Sequence, residues 1–179
     1  MGGLWSPNIL LSQKQKIKME KNKIILGIAI LALIVGSFFF FTRASAYPSV
    51  DEYTEEITIY KDSSCGCCKI YGVYFRNKGN SDTYLRNSQD VNSIKDEYGI
   101  PEGLRSCHTT IMGDYFVEGH IPLEAVEKLL TEKPNIKGIA MPGMPQGSPG
   151  MPGGKSGDFI IYQVNNDGST EEFMRIWKN

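Results

Sequence analysis

The chain has 179 residues with 19 basic and 20 acidic side chains, which is room for one ordinary domain plus appendages. Its charge is too balanced for a nucleic-acid footprint. Hydrophobic residues make up 41% of it, enough for a packed core. Three of its four cysteines crowd together at Cys65, Cys67 and Cys68, with Cys107 apart, which excludes the spread-out framework of a small disulfide-stapled fold.

Residues 1–23 form a basic tail with Lys14, Lys16, Lys18, Lys21 and Lys23. The uncharged run from Ile24 to Phe41 would reach roughly 27 Å as a helix at about 1.5 Å per residue, enough to span a thin bilayer. With the lysines ahead of it and only Arg43 close behind, the positive-inside rule sets the N-terminus in the cytoplasm and everything after residue 41 outside. The reading is a single-pass anchor in the cytoplasmic membrane. Its alternative is a signal peptide cleaved near Ala46, since Ala44-Ser45-Ala46 has the small-x-small form.

Residues 42–55 are polar and read as a linker, so the folded domain is expected over 56–179. Glu56–Tyr60 alternates β-branched and aromatic residues as a strand does. From Cys68 to Asn77 the positions of Ile70, Val73, Tyr74 and Tyr71 suit a helix that Gly79 stops. Thr83–Leu85 reads as a short second strand and Val91–Tyr98 as a helix with Ile94 and Tyr98 on one face. Thr109–Met112, Gly113-Asp114 and Tyr115–Glu118 predict a tight hairpin. Pro122–Glu132 is a helix with Val126, Leu129 and Leu130 inward and Pro122 in its first turn. Glycine and proline over 138–157 predict a loop without regular structure. Residues 158–178 close the chain as a hairpin about Asn165–Gly168.

The order β-α-β-α-β-β-α, with cysteines at the first strand-to-helix turn, matches an α/β, thioredoxin-like three-layer layout. That layout brings Cys107 and His108, at the entry of the third strand, opposite Cys65–Cys68, so that the four thiols share one pocket. Cys65 and Cys68 form a C-x-x-C pair whose thiolates a helix N-terminus favours. A dithiol exchanger gains nothing evident from the third sulfur of Cys67, whereas a metal does. Soft sulfur donors select copper(I) or zinc, and copper(I) also accepts thioethers, so zinc is the lesser candidate. Met141, Met144 and Met151 lie in a segment too rich in glycine and proline for a helical core stripe and are candidate thioether ligands; His108 and His120 are candidate imidazole ligands. The competing reading is an exported thiol-disulfide oxidoreductase with Cys65 as nucleophile and Cys68 as resolving thiol.

Four motifs add a family resemblance: Tyr60-Lys61 leading to Cys65-Gly66-Cys67-Cys68-Lys69, Ser106-Cys107-His108-Thr109, Val117-Glu118-Gly119-His120-Ile121-Pro122, and the run from Met141-Pro142-Gly143-Met144 to Pro149-Gly150-Met151. Over about residues 57–152 the chain resembles the CopG-like proteins, small exported metal-binding proteins associated with copper resistance. The resemblance implies copper held by the cysteines with methionine and histidine help, and a part in copper handling alongside copper-handling proteins outside the membrane, with conversion between copper(I) and copper(II). The polar stretch 79–90 and the hairpin after Gly157 depart from the family pattern. So does the anchor. The proline that ordinary thioredoxins place before their third strand is absent, with Cys107 nearby, which argues against a general disulfide exchanger.

Overall fold

The computed structural model describes residues 7–41 and 45–177, with side chains over 16–37 and 45–177, and divides between Ala44 and Ser45 into two units. The first unit is a single helix, α1 (Pro7–Phe41), whose described side chains are all exposed. Among the described residues no helix is long and apolar enough to cross a membrane; the expected anchor, 24–41, runs on through residues whose side chains are not described. The side chains of Phe38–Phe41, like residues 1–6, 42–44 and 178–179, lie outside the described residues.

The second unit is a mixed α/β fold around a seven-stranded sheet in the order β2-β1-β3-β4-β5-β6-β7. The strands are β1 (Ile57–Lys61), β2 (Tyr84–Asn87), β3 (His108–Met112), β4 (Tyr115–Glu118), β5 (Ile136–Ala140), β6 (Phe159–Asn165) and β7 (Thr170–Ile176). β1 runs parallel to β2 and β4 parallel to β5, and the remaining neighbours are antiparallel. The helices are α2 (Pro48–Asp51), α3 (Gly66–Lys78), α4 (Val91–Glu97) and α5 (Leu123–Glu132).

Strand alternation sorts the core into two clusters. Ile57, Ile59, Met112, Val117, Ile139 and Ile161 pack with Tyr71 and Phe75 of α3 and Leu123, Val126 and Leu129 of α5. Phe116, Ala140 and Val164 project to the other side, against Ile100 and Tyr98 at the end of α4. Because side chains alternate along a strand, His108 shares the face of Met112, while Thr109 and Glu118 fall on the α4 side.

Four elements differ from the sequence expectation. β5 occupies part of the segment expected to be irregular. Gly138 is what permits it, because a Cβ there would run into the Phe116 carbonyl on the neighbouring strand. The stretch read as a linker holds α2, tied down by Ser49 and Val50 N–H groups that each donate to the Glu127 carboxylate at 3.0 Å, with Val50 fully buried. The buried stripe of α3 is Cys68, Tyr71, Gly72 and Phe75, spaced i, i+3, i+4, i+7 as a helix demands, while Ile70 and Val73 are exposed. On α4 the buried residue is Lys95, which carries more of the site than Ile94 or Tyr98.

Candidate metal centre

β1 ends at Lys61, and the turn Asp62–Ser64 delivers the chain to α3. Asp62 orders that turn by accepting from the N–H of Ser64 at 2.8 Å and from its hydroxyl at 2.5 Å. Cys65 is the N-cap of α3, its sulfur accepting from the Cys68 N–H at 3.3 Å. From the start of β3 comes Cys107. The Sγ atoms of Cys65, Cys67, Cys68 and Cys107 all lie within 4.8 Å of one another, and a second group within the same span joins Cys68 and Cys107 to the ring nitrogens of His108 and His120. Cys68 and Cys107 belong to both groups, so six donors form one continuous cluster.

Cys65 and Cys68 are joined as a disulfide, and Cys67 and Cys107 are free. Cys65 Sγ lies 3.5 Å from Cys67 Sγ. Cys107 Sγ lies 3.1 Å from His120 Nε2 and 3.5 Å from His108 Nδ1. Burial, reinforced by the neighbouring Cys67, pushes the Cys107 thiol up to about 11, and burial pushes His120 down and His108 well down. All three are therefore neutral at physiological pH without metal, with a protonated thiol facing a neutral imidazole. For Cys107 this is the reverse of the thiolate character a helix N-terminus gives a C-x-x-C pair.

Tyr71 backs the cluster. Its ring centroid is 4.4 Å from that of His108 and 5.5 Å from that of His120, and its hydroxyl donates to the Ile121 carbonyl at 3.0 Å. On the α4 side, buried Glu118 ties down the approach to Cys107. Its carboxylate accepts from the Ser106 N–H at 2.5 Å, from Thr109 Oγ1 at 2.6 Å and from Lys95 Nζ at 2.5 Å.

The methionines fare differently from one another. Met141 is 1% exposed and sits in the main hydrophobic cluster, the position of a core side chain rather than of an exposed loop ligand. Met144 is 51% exposed. Met151 is half-buried and follows Gly150, whose backbone lies against the first turn of α3. Tyr71 is placed by the sequence only on a helix, Pro149 only within a quoted motif, and Lys95 carries no site signal. Glu118 stood within a quoted motif, and that motif was its only signal.

The donors fit a soft or borderline metal. They are sulfur and imidazole with no carboxylate among them. Two of the sulfurs must first be released by reduction of the Cys65–Cys68 disulfide.

Fold and cluster together define a mixed α/β protein with a cysteine-rich group able to hold a metal ion. A family described as "Protein of unknown function, DUF411" matches residues 104–151. Among solved structures, "Copper resistance protein copG- Form 1" aligns with 31% identity, 69% of this chain, 98% of that chain and a TM-score of 0.63. "Copper resistance protein copG- Form 2" aligns with 30% identity, 68% and 97% coverage and a TM-score of 0.60. No curated protein matches. The chain belongs to the CopG-like family.

Proposed function

We propose that the chain binds copper(I) for copper resistance or handling outside the cytoplasmic membrane, through Cys65, Cys67, Cys68 and Cys107 with His108 and His120. The observation that carries this is the convergence of four sulfurs within 4.8 Å from two segments about forty residues apart. Such a set suits a soft ion and is wasteful for a hard one. The alignment with copper resistance proteins supports the same reading. The thioredoxin-like layout is part of it: the run β2-β1-β3-β4, with α3 starting at the cysteines, follows the order expected of that fold. Met151 and Met144 would assist as thioethers from the loop; Met141 would have to leave the core. The placement outside the membrane and the copper-handling partners there rest on the basic tail preceding the uncharged run 24–41. Protease added to intact cells tests it, since a domain on the inner side would be protected.

A second reading is favoured by one observation, the Cys65–Cys68 disulfide at the start of α3, the arrangement of a thiol-disulfide oxidoreductase. Anaerobic titration of the reduced full-length chain with copper(I) against a competing chelator separates the two. Copper binding should be tight and largely lost in Cys67→Ser. Intact binding in Cys67→Ser, combined with insulin reduction that Cys65→Ser abolishes, would hand the site to disulfide exchange.

A further inference from the structure

We propose that Pro149 and Gly150 are positioning residues for the cluster: the Pro149 carbonyl holds His120 as the Nδ1–H tautomer, turning the bare Nε2 toward the Cys107 sulfur, and Gly150 lets the loop come close enough to do it. The inference deepens the copper(I) reading and rests on it for its metal readout alone.

His120 Nδ1 lies 2.7 Å from the Pro149 carbonyl oxygen. A carbonyl has no proton to give, so Nδ1 is the donor. A neutral imidazole carries one N–H, so Nε2, 3.1 Å from Cys107 Sγ, presents its lone pair to the sulfur. The hydrogen bond made by one ring nitrogen sets what the other can do, and a backbone carbonyl is a usual partner behind a metal-binding histidine. His108 faces the Gly119 backbone instead, and its Nδ1 lies 3.5 Å from the same sulfur.

The loop that supplies the carbonyl is held on both sides of Pro149. Buried Ser148 donates through Oγ to the Pro145 carbonyl at 2.8 Å, and Met151 N–H donates to the Ser148 carbonyl at 2.8 Å. Gly150, with φ +85°, lies directly on α3. A Cβ there would stand 2.8 Å from the Tyr71 nitrogen and 2.9 Å from the Cys67 oxygen, both backbone atoms. Side chains rarely adopt that φ, and neither neighbour can swing aside. One dipeptide therefore touches the cysteine turn with its glycine and His120 with its proline, coupling the loop to both halves of the cluster.

Because the chain has only two histidines, 15N-histidine labelling of the reduced, metal-free, full-length protein reads both rings directly. The wild type should show His120 protonated at Nδ1. Gly150→Ala should shift His120 toward a mixture of tautomers, leave the His108 signals in place and weaken copper(I) binding by about 10- to 100-fold. Gly154→Ala, where a Cβ meets nothing within 4 Å, should change none of these. A wild-type His120 protonated at Nε2 overturns the inference whatever the metal does, and this measurement stands even if Gly150→Ala fails to fold. A displaced tautomer with unchanged copper(I) affinity overturns the positioning role and leaves the cysteine site standing. Failure of the wild type to bind copper(I) overturns the metal reading itself, with the tautomer result still readable.

Discussion

Replacing Lys95 with methionine leaves the Glu118 carboxylate fully buried without its cation. Both side chains are shielded, at 3% and 0% exposure, so water cannot make up for the loss. Thr109 Oγ1, which accepts from Lys95 at 2.9 Å while donating to Glu118, loses one of its two bonds as well. Breaking a buried pair from one side costs about 3–5 kcal/mol, a large fraction of the roughly 5–15 kcal/mol that holds a domain folded. The double variant Lys95→Met with Glu118→Leu removes both charges and should recover most of that loss. It should not recover metal binding, because the Ser106 N–H and Thr109 hydroxyl would have lost the carboxylate that holds the strand carrying Cys107. Urea denaturation of wild type, single and double variants gives the energies, and a copper(I) competition titration gives the affinities. A single variant within about 1 kcal/mol of wild type, or a double variant no more stable than the single, would refute the reasoning.

Three further outcomes follow from the same structure. Tyr71→Phe should cost about 1–3 kcal/mol by orphaning the buried Ile121 carbonyl, seen as a lowered Tm; an unchanged Tm would mean that the carbonyl finds another donor. The metal-free protein should lose stability in mild acid. Burial holds both histidines below the ordinary value of 6.5, His108 well below, so the unfolded chain takes up their protons first. Stability is then full above about pH 6.5 and falls below it by about 1.4 kcal/mol per pH unit for each such proton, down to the folded value of that group. Denaturation curves between pH 7.5 and 5 test this, and His108→Phe should flatten the slope. Gly138→Ala should cost about 1–3 kcal/mol or more from overpacking against Phe116, and thermal melting that matches wild type would show that β4 and β5 can part.

Much of the sheet was readable because local pattern and tertiary role agree. Ile57 and Ile59 alternate and are buried. The hairpin at Gly113-Asp114 has its glycine at φ +56°, and Val126, Leu129 and Leu130 mark the inner face of α5. β5 was hidden because its glycine signals a breaker in isolation and a close approach only once β4 is beside it. α2 is four residues long, too short to show a period. The inward face of α3 was misread because exposed Ile70 and Val73 outweigh a stripe that begins with a cysteine. Within the candidate site, the meeting of Cys107 with the cysteine turn followed from strand order, whereas Lys95 and Glu118 look like surface charges until their mutual burial is seen. The hydrogen bond of His120 could not be read at all, since its acceptor is a backbone atom of a loop whose path the sequence does not dictate.

Copper K-edge X-ray absorption of the reduced full-length chain loaded with copper(I) tests the metal account most directly. The account predicts a coordination shell dominated by sulfur that loses sulfur scattering in Cys107→Ser and again in Cys67→Ser. A shell of nitrogen and oxygen alone, or one that neither substitution changes, would contradict it.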